Sequence, residues 1–228
     1  MNDITEHIKC IQEKIKIAAS YSKNQYRDIR LIAVTKTVDT FDIQKAIDAG
    51  LNEFGENRVQ EMIAKYAKLP KDIIWHLIGQ LQANKVKYIV DKVGLIHSLD
   101  RISLAQEIQR QCEKISRIMP VLIQVNIAKE ETKSGIFEED IVTFTEEISK
   151  FPNLEVQGLM TIAPLVDNPE SIRPIFRKMK YYFEQFKKQS IPNVQMNYLS
   201  MGMSNDFEIA IEEGANVVRI GTAIFGKR

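Results

Sequence analysis

The chain of 228 residues is poor in the side chains that build disulfide-stapled or metal-bound scaffolds, with two cysteines, three histidines and one tryptophan. Cys10 and Cys112 form no Cys-x-x-Cys or Cys/His spacing, so neither a disulfide framework nor a metal motif is indicated, and both are expected as small packing residues within helices. His7, His76 and His97 are too scattered to suggest zinc. Excess charge is missing too: 31 Lys and Arg against 30 Asp and Glu leave a net charge of +1, which gives no bulk attraction to nucleic acid or an anionic membrane. No apolar run approaches the ~20 residues that span a bilayer. The opening Met1-Asn2-Asp3-Ile4-Thr5-Glu6 has neither the basic start nor the apolar core of a signal peptide, and a cytoplasmic location is expected. Internal repeats, low-complexity stretches and interdomain linkers are also lacking; Pro164 to Pro169 is a loop with Asn168 as a helix N-cap.

What is present is an alternation. Strand-length apolar runs at 31–35, 51–54, 74–78, 94–97, 120–125, 156–160, 196–199 and 216–220 are separated by helical spacing, such as Ile102, Ala105, Ile108, Cys112 and Ile115, or Ile141, Phe144, Thr145 and Ile148. Alternation of this kind implies parallel strands joined by crossover helices. The nearly continuous apolar character of Val121-Leu122-Ile123-Gln124-Val125 fits a strand covered on both faces. Eight such units, with no GxGxxG after the first strand, predict a closed (β/α)8 TIM barrel. Ile4, Ile8, Ile11, Ile15 and Ala18 form the stripe of an additional N-terminal helix. Only Gly221 to Arg228 follow the last strand, too few for a full covering helix, so this first helix is expected to pack beside strands eight and one. One domain over 1–228 is expected, with the helix in 1–24 and the barrel in 25–228.

In such a barrel chemistry collects at the C-terminal ends of the strands, and phosphate is often held after strands seven and eight. Lys36 ends the first apolar run, Leu31-Ile32-Ala33-Val34-Thr35-Lys36. Lysine forms Schiff bases with aldehydes, although a strand-end lysine reaching into water is the commoner use of that position. After strand seven, Ser200-Met201-Gly202-Met203-Ser204-Asn205-Asp206 offers hydroxyls, close backbone approach and helix N-terminal NH groups to an anion. Asn205 with Glu208 also resembles a capping box, which leaves cap and phosphate site evenly matched for this loop alone. Strand eight breaks the tie: Gly221 admits a phosphate to backbone amides, and the Thr222 hydroxyl adds a donor. Arg219 is a guanidinium inside an apolar strand, costly to bury without an acceptor, which is either a structural carboxylate or part of a ligand. An amine for an aldehyde, phosphate donors and an arginine near their rim together describe pyridoxal 5′-phosphate (PLP). Were Arg219 to donate to the pyridine nitrogen, that nitrogen would stay unprotonated and the ring would be a poor electron sink.

At this point Phe54-Gly55-Glu56-Asn57-Arg58-Val59-Gln60-Glu61, Trp75 through Lys85, Gly158-Leu159-Met160-Thr161 and the two phosphate loops resemble the pyridoxal-phosphate homeostasis protein family over nearly the whole chain. The resemblance implies an alanine-racemase-like barrel with the cofactor on Lys36 as a Schiff base (aldimine). It implies further cofactor contacts at Asn57, Ser200, Ser204, Arg219, Gly221 and Thr222. Members are regarded as regulators of vitamin B6 and amino-acid pools without established turnover, and delivery of PLP to apo-enzymes is a plausible extension.

Other polar residues have bland readings. His76 ends strand three, equally suited to the cofactor and to loop hydrogen bonds, and is left unassigned. Asn126, Glu131, Lys133 and Gly135 match a family loop that shapes the pocket rim or a partner surface. The segment Arg177 to Phe183 is basic and aromatic, but its spacing fits a helix with Phe176, Met179, Tyr182, Phe183 and Phe186 turned inward, not a nucleic-acid site. The leading expectation is a non-catalytic, monomeric PLP carrier. The alternative is a PLP-dependent amino-acid racemase, which needs an acid and a base on opposite faces of the substrate carbon. Alanine racemases draw one of these from a second domain and a partner subunit, and no such domain is expected here. A Schiff-base aldolase that binds a sugar phosphate is a weaker third class.

Overall fold

A computed structural model describes residues 3–22, 28–130 and 133–226. Asp3 opens the first helix, α1 (Ile4–Tyr21), by accepting hydrogen bonds from the backbone N–H groups of Thr5 and Glu6. There follow β1 (Arg30–Val34), α2 (Thr40–Asp48), β2 (Glu53–Glu56), α3 (Val59–Tyr66), β3 (Ile74–Leu77), β4 (Val93–Leu99), α4 (Ile102–Lys114), β5 (Met119–Gln124), α5 (Ile141–Ile148), β6 (Leu154–Met160), α6 (Arg173–Lys187), β7 (Val194–Ser200), α7 (Phe207–Glu212), β8 (Val217–Ile220) and α8 (Thr222–Phe225). The strands pair in chain order, all parallel, and β8 returns to β1, with Ile32 opposite Arg219. The barrel is closed, as the alternation predicts. One crossover departs from it: β3 and β4 are joined through a 3₁₀ segment, Ala83–Tyr88, rather than an α-helix.

The second strand starts two residues later than its apolar run suggests. Gly50 adopts φ 93°, and the Leu51 N–H reaches back to Ala46 O at 3.1 Å, so Leu51 closes the end of α2. Gly55 and Glu56, beyond the predicted run of 51–54, extend the strand, and Glu56 is buried. The stripe Ile4, Ile8, Ile11, Ile15 and Ala18 is buried throughout, and α1 lies on α2, α7 and α8, which flank β1 and β8. His7 Nδ1 lies 2.9 Å from Ile224 O. Cys112 is buried as expected, whereas Cys10 is exposed on α1 and is not the buried packing residue expected of it. Ile115 is exposed where α4 ends; Leu104 and Gln111 take the inward places beside Ala105, Ile108 and Cys112.

Most apolar burial lies between strands and helices. The interior of the barrel holds a small cluster of Leu95, Leu122 and Met160 with Ile162 and Tyr198 packed on it. Much of the remaining interior is polar.

Candidate functional site

Beyond the last residue of β1 the chain turns sharply. Lys36 is exposed, and Thr37 takes φ 61°, a left-handed conformation that is costly for a β-branched residue. A buried clamp holds this turn. Lys65 Nζ donates to Thr35 O and to Glu56 Oε1, both at 2.6 Å, and the Thr35 hydroxyl donates to the same Glu56 oxygen at 2.6 Å. Glu61 Oε2 accepts from the Thr37 N–H at 3.0 Å. Lys65, Glu56 and Glu61 therefore fix the backbone on both sides of Lys36. Sequence reasoning missed the clamp, since its members are ordinary charged residues of a strand end and a helix.

Two cavities meet at Lys36. One, of about 450 Å3, is walled by Lys36, Ser204, Asp206, Arg219, Gly221 and Thr222 among others. The other, of about 410 Å3, has Lys36, Asn57, Gly79, Gln124, Lys133 and Arg219 on its walls. Lys36 and Arg219 belong to both. The strands thus bring together all the sequence candidates but one, with Ser204, Gly221 and Thr222 on one side of Lys36 and Asn57 on the other. Ser200 stands apart: it is fully buried and sits below Arg219, whose Nη1 donates to its Oγ at 2.5 Å.

The loops after β7 and β8 are tied to each other. Ala223 N donates to Ser204 Oγ at 3.3 Å, and Arg219 N donates to Gly202 O at 3.0 Å. Gly202 sits at φ 94°, and a Cβ there would lie 2.7 Å from Ala210 Cβ, so the close approach of this loop to α7 depends on glycine. The capping box does not form. Asp206, not Asn205, is the N-cap of α7, and its Oδ1 turns back to accept from Met203 N. Burial raises the Asp206 carboxyl above the usual range, against the opposing pull of Met203 N–H and Arg219.

Arg219 is buried with neutral acceptors only: besides Ser200, its Nη2 donates to Thr161 O at 2.8 Å. Burial lowers its pKa to about 10, with only Asp206 opposing, so the guanidinium remains charged at neutral pH. Among the described residues a structural carboxylate partner, one of the two sequence readings, does not form a bond with it. On the second cavity, Lys133 Nζ donates to Ala163 O at 3.2 Å and to Glu130 Oε1 at 2.9 Å. Asn126 folds this loop by donating to Glu130 O and Lys133 O. Glu131 of the same motif lies outside the described residues.

Beneath Arg219 a line of polar groups descends the barrel. Ser200 Oγ lies 3.1 Å from His97 Nδ1, His97 Nε2 lies 3.1 Å from His76 Nδ1, and His76 Nε2 lies 3.1 Å from Glu53 Oε2. Arg30 closes it, with Nε 3.0 Å from Glu53 Oε1 and Nη2 2.8 Å from Oε2, its guanidinium over the Tyr198 ring. Burial lowers the pKa of both histidines, that of His97 strongly, and Glu53 offsets the effect only partly at His76. Burial alone would raise the Glu53 carboxyl, but its bonds to His76 and Arg30 outweigh that and hold it below the usual range. The sequence pointed at His76 without a role and passed over His97, Glu53 and Arg30. A period-two reading shared by Glu53 and Gly55, by His76, and by Leu95 and His97 was the available signal. Among the described residues no group of histidine, cysteine and carboxylates is arranged to hold a metal, and no helix is long and apolar enough to cross a membrane.

The family model for the alanine racemase N-terminal domain matches residues 7–228. A pyridoxal phosphate homeostasis protein of Aquifex aeolicus is 46% identical over 224 residues, 98% of this chain and 97% of the relative. That of Escherichia coli K12 is 37% identical over 235 residues, covering 100% of this chain and 98% of the relative. The solved structure of PipY of Synechococcus elongatus with PLP bound superposes with a TM-score of 0.84 at 33% identity, covering 98% of this chain and 100% of PipY. Alanine racemase of Corynebacterium glutamicum shares the fold at 15% identity, with a TM-score of 0.67 and 62% of its length covered.

Proposed function

Because the chain belongs to the pyridoxal phosphate homeostasis proteins, a family built on the alanine racemase N-terminal domain, we propose that it binds and releases PLP and so regulates vitamin B6 and amino-acid pools. The observation that carries this reading is the shared wall: one primary amine, Lys36, and one buried guanidinium, Arg219, stand between two cavities of about 450 and 410 Å3. The donor set fits the cofactor. Ser204, Gly221 and Thr222 lie on one side of Lys36, where a phosphate group needs hydroxyl and amide donors. Lys36 Nζ would be the amine that holds the aldehyde carbon as a Schiff base. Arg219, a donor with no acceptor capacity, would serve the pyridine nitrogen and keep it unprotonated. Ser200 acts through Arg219, and Asn57 lines the opposite cavity.

Bound there, PLP supplies an aldehyde and a conjugated ring, and a ring whose nitrogen faces an arginine stabilises a carbanion poorly. The chain's own residues therefore favour holding the group over driving a reaction with it, and we place the protein among carriers without turnover. Delivery to apo-enzymes, a monomeric state and a cytoplasmic location belong to the same proposal. The decisive experiment is spectroscopic. Protein incubated with PLP acquires a visible absorption band that survives desalting, and Lys36→Ala abolishes it; a wild-type protein that stays colourless overturns the reading. Arg219→Ala weakens PLP retention more than Lys178→Ala, since Lys178 pairs with Glu138 on the exposed face of α6. Equal retention would remove Arg219 from the site.

A further inference from the structure

Closed barrels of this size are filled by layers of branched apolar side chains. Here the space beneath the mouth instead carries the line Arg219, Ser200, His97, His76, Glu53, Arg30, contributed by β8, β7, β4, β3, β2 and β1. We infer that Glu53, on the floor of the barrel, is a positioning residue that sets the direction of every hydrogen bond in this line and thereby fixes the guanidinium of Arg219 beneath the cofactor ring. The last clause rests on the placing of PLP proposed above; the direction of the line does not.

Glu53 Oε2 lies 3.1 Å from His76 Nε2, off the line of a well-formed hydrogen bond, and a carboxylate so close can only accept, so its charge draws the ring hydrogen to Nε2. A neutral ring then has its acceptor at Nδ1, and the only ring nitrogen facing it, His97 Nε2 at 3.1 Å, must donate. His97 Nδ1 is thereby an acceptor, and the Ser200 hydroxyl at 3.1 Å is its donor. With its hydrogen committed downward, Ser200 Oγ turns lone pairs toward Arg219, which can only donate, at 2.5 Å. All four links point from the mouth to the floor. Both rings are held neutral, because each is buried and a charge on either would lie between Arg219 above and Arg30 below. The charged groups facing the line are Glu53, Arg30 and Arg219, with Asp206 acting on Arg219 from the far side.

Arg30 gives the test its sharpness. It donates to both oxygens of Glu53, so in Glu53→Gln it retains the amide oxygen and turns the amide nitrogen toward His76. A donor now stands where only an acceptor stood. The whole line must reverse, with the hydrogen moving from Nε2 to Nδ1 on both rings and Ser200 released to donate elsewhere.

Long-range ring 1H–15N spectra of 15N-labelled, cofactor-free protein read the tautomers directly. The wild type should show His76 and His97 as the neutral Nε2–H form at pH 7.5. Glu53→Gln should convert both to Nδ1–H, and Ser200→Ala, which cuts the upper link, should leave both as in the wild type. Nδ1–H or charged rings in the wild type, unaltered rings in Glu53→Gln, or reversal in Ser200→Ala would each overturn the direction assigned. Should Glu53→Gln not fold, the wild type and Ser200→Ala still decide. With PLP added, Glu53→Gln should show a displaced absorption maximum and roughly tenfold weaker retention than the wild type. An identical spectrum and retention despite reversed rings would overturn the positioning role. A wild type that takes up no PLP while its rings read as expected would overturn the cofactor reading alone.

Discussion

Two buried imidazoles set edge to face in the barrel interior make this protein sensitive to acid in a definite way. His76 and His97 have pKa values held below the ordinary 6.5 by burial, so the unfolded chain binds protons that the folded one refuses. Stability is therefore full above the unfolded value and falls as pH drops below about 6.5, by up to ~1.4 kcal/mol per pH unit for each ring. Urea unfolding at pH 7.5 and 5.5 measures this, and the His76→Leu, His97→Leu double variant should lose less between the two pH values than the wild type. An equal loss would assign the acid sensitivity to carboxylates. That Lys36, Ser204, Gly221 and Thr222 would gather at one cavity was legible because amine, hydroxyl and glycine at strand ends carry a chemical meaning of their own. Glu53, His97 and Lys65 were not, because their meaning is the partner each meets across the sheet, and a single sequence does not display cross-strand neighbours.

At the scale of elements, periodicity served well wherever one face of a segment is buried, as with the stripe of α1 and with Phe176, Met179, Phe183 and Phe186 on α6. Tyr182 fits more loosely; it is partly buried and its hydroxyl donates to Glu138 at 2.5 Å. It failed at ends, where Leu51 was assigned to a strand it only precedes and Glu56 was denied to one it completes. Junctions between elements depend on backbone conformation, and polar residues that find partners read as surface. The β6–β7 junction shows how little tolerance such a place has. Gly158 takes φ 147°, and a Cβ there would lie 1.9 Å from Tyr198 O, inside the parallel pairing of the two strands. Gly158→Ala should leave little folded protein, as judged by the yield of monodisperse material on gel filtration; normal yield would show that β6 and β7 can separate without harm. Truncation on α1 is milder. Ile8 is 1% exposed, and Ile8→Ala should lower the unfolding free energy by roughly 2 to 5 kcal/mol in urea titration.

For the molecule as a whole, the barrel it shares with alanine racemases raises the question of turnover. If Arg219 meets the ring nitrogen as proposed, racemisation of L-alanine should stay far below the ~10 per second typical of enzymes. Chiral chromatography of alanine incubated with PLP-loaded protein measures it, and an enzyme-like rate would replace the carrier reading with a racemase. The docking of α1 on α7 and α8 has a consequence of another kind. His7 meets Ile224 across 217 positions of chain. At ~5–20 residues per second on a ribosome, the apolar stripe of α1 meets α2 early but waits roughly 10 to 40 seconds for α7 and α8 to be synthesised. Those partners carry or border the loops with Ser204, Gly221 and Thr222. Burial of that stripe against α7 and α8 and completion of the loops with Ser204, Gly221 and Thr222 are thus one late event, so a nascent chain whose first helix is still sticky is also one whose barrel mouth is still unfinished.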